Sequence, residues 1–110
     1  MRWNEFRSHI RHLAPADVER VKQAFELSVK LHEGQVRMSG EPYVTHPLAV
    51  ADMLADMRAD ADTLIAALLH DTVEDTPITL DEIDTLFNGA VRSLIDGVTK
   101  LTRAELPEKP

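Results

Sequence analysis

Apolar residues along the chain repeat at the three- and four-residue spacing of helices that bury one face. This spacing predicts five or six helices and no strands. The helices are expected over residues 3–13, 15–33, 45–57, 63–69 and 91–98, with a shorter one after Thr79. The sequence therefore predicts an all-α fold built as a helical bundle.

The same spacing predicts which side chains are buried. Residues 63–69 are apolar nearly all round, as expected for a central helix that is buried on every side. In two other helices the residues expected to face inward are Leu48, Ala51, Leu54 and Met57, and then Ile83, Leu86 and Phe87.

Polar residues at the predicted helix starts are typical of N-caps. We expect Thr45 to cap one helix and either Asp60 or Asp62 to cap the apolar one. Thr79, followed three residues later by Glu82, has the spacing of a capping box.

The chain has 110 residues, which is one small domain or a piece of one. We expect a domain over residues 1–103 and a frayed, charged and proline-rich tail over 104–110. The longest apolar run, 64–69, is too short to span a bilayer, and residues 1–13 do not form a secretory signal. Without cysteine the sequence has no disulfides, thiolate zinc sites or cysteine nucleophiles. A cytoplasmic location fits these features.

Charge is unevenly distributed along the chain. The formal net charge of −7 argues against general nucleic-acid binding, and residues 59–91 hold eight acidic side chains and no Lys or Arg. Among them, Asp71, Glu74 and Asp75 directly follow the apolar helix. Such a cluster requires a cation from elsewhere in the fold or a bound metal ion.

Two histidines lie where they would complete a metal site. His70 and Asp71 end the buried helix, and imidazole nitrogen with carboxylate oxygen suits a divalent ion. His46 starts the preceding helix, and an antiparallel helix pair would bring it near His70. From spacing alone, His46 is either a third ligand or a helix-end residue.

The other histidines have simpler interpretations. His32 ends an apolar face and is either buried and bonded to nearby backbone or a supporting residue near the site. His9 and His12 are expected at the surface or in packing contacts.

Three segments together resemble a known family. Residues 37–47 (RMSGEPYVTHP), 66–76 (AALLHDTVEDT) and 96–101 (DGVTKL) are similar to signatures of the HD-domain hydrolases of the RelA/SpoT family, in order and with natural spacing.

The resemblance implies an all-α HD bundle that hydrolyses the 3′-pyrophosphate of the guanosine tetra- or pentaphosphate (p)ppGpp, giving GDP or GTP and pyrophosphate, with one Mn²⁺ ion. The residue roles it implies are metal ligation by His46, His70 and Asp71, activation of the attacking water by Glu74 and Asp75, and a nucleotide pocket with Arg37, Met38 and Ser39. Arg37 would lie against the guanine.

The chain departs from the family pattern in two respects. Met38 stands where the hydrolases often have a basic residue, so one positive charge near the anionic substrate is lost. The family site is also completed by an aspartate well beyond Leu101, so the fourth ligand is expected beyond Pro110, and nothing in the spacing of Asp96 supports it as a substitute. We therefore expect a fragment of a bifunctional synthetase/hydrolase, incomplete at its C-terminus and impaired in activity. Its exposed apolar surface would favour homo-oligomers.

Two other functions are compatible with the sequence. The chain could be a non-catalytic regulatory or interaction module that retains the HD fold, or an HD phosphohydrolase acting on another nucleotide.

Overall fold

The computed structural model describes residues 2–35, 40 and 44–105, and these residues contain helices and no strands. The helices are α1 (Trp3–Ser8), α2 (Pro15–Leu31), α3 (Thr45–Asp56), α4 (Ala61–Leu69), α5 (Thr72–Asp75), α6 (Leu80–Leu86) and α7 (Gly89–Glu105). Helix α5 is a single turn, and the other six helices are longer than one turn. The predicted all-α fold is confirmed.

Helix α4 lies at the centre of the bundle. All but two of its residues are buried, and Leu64, Ile65, Leu68 and Leu69 have no exposed surface. Three helices pack around it, namely α2, α3 and α7. Burial of a side chain of this size is worth roughly 1.5–3 kcal/mol, so α4 supplies much of the hydrophobic stabilisation.

Two of the helices that face α4, namely α2 and α3, have small side chains at some of their buried positions. Ala24 and Ser28 of α2 and Ala51 of α3 have no exposed surface. Small side chains allow the backbones of α2 and α3 to approach α4 closely. The larger apolar side chains of α4 then fill the space between the helices. Trp3 of α1 packs on Phe25 of α2 with ring centroids 5.5 Å apart.

Two of the predicted caps are present. Asp60 caps α4 by accepting a hydrogen bond of 2.9 Å from the Thr63 amide. Thr79 and Glu82 form the complete capping box at the start of α6. The expected Thr45 cap is wrong by one residue, because Val44 holds the N-cap position and α3 begins at Thr45.

Two residues expected to face inward are largely exposed. Met57 is 76% exposed because α3 ends at Asp56 and the backbone then turns through Arg58, at a φ of 60°. Leu86 is 56% exposed because α6 packs along α7 on the side of Ile83, which leaves its last residue open.

The observed ends of two helices also differ from the predicted ones. Helix α1 stops at Ser8 instead of residue 13, and Ile10 beyond it is fully buried. Helix α7 includes residues 104 and 105, and the remainder of the predicted tail lies outside the described residues. No helix in the described ranges is both long and apolar enough to cross a membrane.

Asp62 joins three parts of the fold. Its Oδ1 accepts hydrogen bonds from Arg20 Nη2 of α2, at 2.5 Å, and from Asn88 Nδ2 at the start of α7, at 3.0 Å. These two partners lower the pKa of the Asp62 carboxyl below its ordinary value of 3.8. The Asn88 side chain also accepts from the Val91 amide, so it caps α7.

His9 joins α1 to α3. Its Nδ1 lies 2.6 Å from Asp52 Oδ1. The hydrogen bond and the charge of Asp52 raise the pKa of His9 above 6.5, with smaller contributions from the charges of Asp56 and Glu5.

Replacing Asp62 with alanine should lower the free energy of unfolding at pH 7 by about 1 kcal/mol, a value reduced for the solvent exposure of the pair. Because the folded pKa is lowered, this contribution is present above the ordinary pKa and is lost as the pH falls through the folded pKa. Urea unfolding of both proteins at pH 7 and near pH 3 measures it. The exposed Glu19→Gln variant of α2 is the control, and an undiminished difference at the acidic pH would contradict the assignment.

The His9 pair should weaken as the pH rises. A histidine with a raised folded pKa contributes stability that is complete below the unfolded pKa and is lost as the pH rises through the folded pKa. We expect an NMR titration to give His9 a pKa above 6.5 that falls towards 6.5 in Asp52→Asn. An identical His9 titration in both proteins would exclude the pair.

Candidate metal centre

The site lies where the ends of two helices meet. His70 is the C-cap of α4 and Asp71 the N-cap of α5, while His46 is the second residue of α3. As the antiparallel arrangement predicts, the start of α3 lies beside the end of α4. The rings of His46 and His70 are tilted by 58° with centroids 6.5 Å apart.

These three side chains could hold one metal ion. Each offers a ligand atom, and the three atoms lie within 4.8 Å of one another. His70 and Asp71 are about one-fifth exposed, whereas His46 is exposed. The site is therefore anchored in the bundle on the α4 side and open to solvent on the α3 side.

The imidazole of His70 is oriented by the backbone. Its Nδ1 lies 2.7 Å from the carbonyl oxygen of Ala67. Because a carbonyl oxygen can only accept, Nδ1 carries the hydrogen, and the Nε2 of the neutral ring has a free lone pair. A hydrogen bond of this kind is the usual support of a metal-binding histidine.

The free Nε2 faces a carboxylate. It lies 3.2 Å from Oδ1 of Asp71, so two acceptor atoms are in contact when the ring is neutral. A proton on Nε2 or a cation bound by both atoms removes the repulsion. Two imidazoles and one carboxylate fit a divalent transition metal, and this donor set contains none of the soft thiolates that select other metals.

The remaining predicted site residues are not part of this three-residue group. Glu74 and Asp75 are exposed on α5, and the Asp75 amide donates to the Asp71 carbonyl at 3.0 Å. The single turn of α5 thus begins at a candidate ligand and carries both acids. Arg37, Met38 and Ser39 lie outside the described residues.

Two arginines from outside residues 59–91 form ion pairs with other acids of this stretch. Arg20 pairs with Asp62, and Arg92 pairs with Asp81 and Asp84. In the part of the chain that the structure describes, the ion-pair partner of Asp71 is His70. Asp71 therefore contacts an imidazole, whereas Asp62, Asp81 and Asp84 contact arginines.

The other histidines make structural contacts. His32 is buried and its Nδ1 donates to the Ser28 carbonyl at 3.0 Å, which agrees with the buried, backbone-bonded interpretation. His12 bonds the Ala59 carbonyl through Nε2, and His9 pairs with Asp52. The partner Asp52 is 43 residues away from His9, so no local pattern indicated this contact.

An apolar groove of about 180 Å³ adjoins the candidate ligands. Its walls come from α3, α4 and α7, and His70 lies on its edge. The apolar side chains that line it are Val50, Leu54, Ala66, Ala67, Leu94 and Val98. Leu94 and Val98 are 40% and 44% exposed, so the groove leaves apolar surface in contact with water.

One contact at the site had only a weak sequence signal. Thr72 is fully buried and its hydroxyl donates to the Leu69 carbonyl at 2.6 Å. The signal available was a threonine three residues after the last residue of an apolar helix, between Asp71 and the pair Glu74-Asp75, where a small hydroxyl can bond to the helix end.

The chain matches a known domain family over most of its length. The family model of the HD domain matches residues 24–109, which include all three candidate ligands.

Curated relatives share the same region. The chain is 47% identical over 98 residues to the "Bifunctional (p)ppGpp synthase/hydrolase SpoT" of Escherichia coli K12, covering 89% of this chain and 14% of that protein. It is 53% identical over 91 residues to a "Probable GTP pyrophosphokinase" of Mycobacterium leprae, covering 83% of this chain and 12% of that protein. A "Guanosine-3′,5′-bis(diphosphate) 3′-pyrophosphohydrolase" of Vibrio cholerae is 44% identical over 98 residues, covering 89% and 14%.

The chain thus spans about one-seventh or less of the length of these relatives. The match nevertheless includes the segments on which the RelA/SpoT resemblance rests, and that resemblance is confirmed. The chain belongs to the HD domain family, in the form that it shares with the SpoT and GTP pyrophosphokinase proteins.

Proposed function

We propose that the chain is the metal-binding part of a hydrolase that removes the 3′-pyrophosphate of (p)ppGpp. The observation that carries the proposal is the convergence of His46, His70 and Asp71 from separate helix ends. The names of the E. coli and V. cholerae relatives, a synthase/hydrolase and a 3′-pyrophosphohydrolase, support the substrate. We propose Mn²⁺ as the ion and the cytoplasm as the location.

The ligand set would be His46, His70 and Asp71. A divalent ion held by them supplies Lewis-acid chemistry, since it stabilises negative charge on phosphoryl oxygens and makes water more acidic. The hydrogen bond from His70 to the Ala67 carbonyl fixes the tautomer of the imidazole and directs its Nε2 towards Asp71.

Glu74 and Asp75 would orient the attacking water and accept its proton. Water adds to the phosphorus that is bonded to the ribose 3′-oxygen, and the bond between them breaks. The 3′-oxygen takes up a proton and becomes the hydroxyl of GDP or GTP, and the two phosphates are released as pyrophosphate. A carboxylate beside the site orients the water and accepts its proton. Both acids occupy the turn that follows Asp71, which is consistent with this role.

Charge also supports a bound ion. Asp71, Glu74 and Asp75 place three carboxylates within five residues, and this arrangement alone would repel a pyrophosphate group. We propose that the ion reverses the local sign and that Arg37, with Met38 and Ser39, contacts the nucleotide. The planar guanidinium of Arg37 suits both a purine face and phosphate oxygens.

The exposed apolar groove beside His70 supports a further part of the proposal. Water-exposed Leu94 and Val98 would favour association of copies of the chain through this face.

The chain should bind about one Mn²⁺ ion, measured by isothermal titration calorimetry at up to millimolar metal. Asp71→Asn should weaken binding by more than ~100-fold, because even groups outside the ligand set are worth about 10–100-fold. Asp84→Asn removes a charge from the same acidic stretch and is the matched control. Equal binding by all three proteins would exclude the ligand assignment.

A second variant should lose hydrolysis of (p)ppGpp but retain Mn²⁺ binding. Glu74→Gln should keep Mn²⁺ affinity within about threefold but reduce pyrophosphate release from (p)ppGpp by ~100-fold or more, in line with the loss of a general base. The assay uses this chain and any longer gene product that contains it, with GTP and ATP as comparison substrates. Binding of Mn²⁺ without any hydrolysis would favour a non-catalytic module, and preferential cleavage of another nucleotide would favour a different phosphohydrolase.

A further inference from the structure

Two carbonyl groups near the end of α4 accept hydrogen bonds from side chains. The Ala67 carbonyl accepts from His70, and the Leu69 carbonyl accepts from the Thr72 hydroxyl at 2.6 Å. Terminal carbonyls of a helix have no partner within it, so they need donors of this kind. One donor is a candidate metal ligand, and the other follows directly after a candidate ligand.

Between these two bonds the chain changes from one helix to the next. His70 and Asp71 keep right-handed helical dihedral angles, with φ of −59° and −83°, yet α4 ends before them and α5 begins after them. The position of the Asp71 carboxylate therefore depends on how the backbone of this two-residue junction is fixed. The Leu69–Thr72 bond spans that junction.

Thr72 also anchors α5. Its carbonyl accepts from the Thr76 amide at 2.9 Å and from the Thr76 hydroxyl at 2.7 Å. An isolated turn of four residues is unfavourable, because fixing its backbone costs more than its few hydrogen bonds return. The turn that carries Glu74 and Asp75 thus depends on its ties at Thr72.

Burial makes the hydroxyl of Thr72 hard to replace. The side chain has no exposed surface, so water cannot substitute for the lost donor at the Leu69 carbonyl. Valine has nearly the same shape as threonine but lacks the hydroxyl. Serine keeps the hydroxyl and loses only a methyl group.

We infer that Thr72 is a positioning residue, whose hydroxyl fixes the junction between α4 and α5 and thereby holds Asp71 beside His70 and the α5 acids next to the site. This inference rests on the proposed function for its consequence but on the hydrogen bonds for its geometry. Thr72 acts through Asp71 and α5 and does not itself contact an ion or a substrate.

The experiment compares Thr72→Val and Thr72→Ser with the unaltered chain. Two controls separate other effects. Thr85→Val removes a hydroxyl that bonds a backbone carbonyl within α6, and Ile83→Val lowers stability at a fully buried position. Mn²⁺ affinity is measured by calorimetry, and backbone amide hydrogen exchange is followed by NMR without metal.

Loss of the hydroxyl should weaken Mn²⁺ binding about 10-fold or more in Thr72→Val. Thr72→Ser should restore binding to within about threefold of the unaltered chain, and the two control variants should leave it unchanged. In the absence of metal, Thr72→Val should accelerate exchange of the Asp75 and Thr76 amides relative to the core of α4, and Thr72→Ser should not. Unchanged binding and unchanged exchange in Thr72→Val would overturn the inference, as would equal weakening in Ile83→Val.

The two proposals fail in different ways. If the unaltered chain binds no Mn²⁺, the proposed function is rejected, and the exchange of the Asp75 and Thr76 amides alone decides whether Thr72 holds the junction. If Thr72→Val does not fold, Thr72→Ala, which lacks the same hydroxyl, is compared with Thr72→Ser. Thr72→Ala should then exchange the Asp75 and Thr76 amides faster than Thr72→Ser, and equal exchange in these two variants would contradict the inference.

Discussion

The burial of α4 is the constraint on which the rest of the structure depends. Its side chains are apolar nearly all round, so it is stable only when α2, α3 and α7 cover it. That packing leaves little freedom in where the helix ends. His70 and Asp71 are therefore delivered to a fixed position beside the first turn of α3, and His46 meets them there.

The distribution of charge follows from this arrangement. Arg20 and Arg92 neutralise acids on the outer parts of α4 and α6, at the bundle surface. Asp71 lies at the opposite end of α4 from Asp62 and contacts an imidazole instead of an arginine. The fold thus gives Asp62 and Asp81 arginine partners, and it gives Asp71 an imidazole beside which a cation could be bound.

Much of this could be predicted from the sequence, because it is determined locally. The apolar circumference of α4, the Asp60 cap and the Thr79–Glu82 capping box depend on residues only a few positions apart. The meeting of His46 and His70 could be predicted as well, since it needs only two consecutive helices to be antiparallel. The resemblance of three segments to a known family supplied the substrate hypothesis, the choice of Mn²⁺ and the ligand role of His46, which spacing alone left open.

Other features depend on contacts between distant segments and could not be predicted from the sequence. Arg20 and Asp62 are 42 residues apart, and no periodicity identifies such a pair. Met57 and Leu86 continue an apolar pattern but lie at helix ends where no neighbouring helix covers them. Whether an apolar residue is buried there is decided by tertiary packing and not by spacing.

The placement of the three candidate ligands on separate helix ends has a consequence for cohesion. An ion bound by His46 on one side and by His70 and Asp71, 24 and 25 residues later, on the other would cross-link the start of α3 to the junction between α4 and α5. Since a ligand that prefers the native state shifts the unfolding equilibrium, an ion at 100 times its dissociation constant would add ~2.7 kcal/mol. Chelators would then lower the stability of the bundle as well as empty the site, and the folded fraction would depend on the ion concentration.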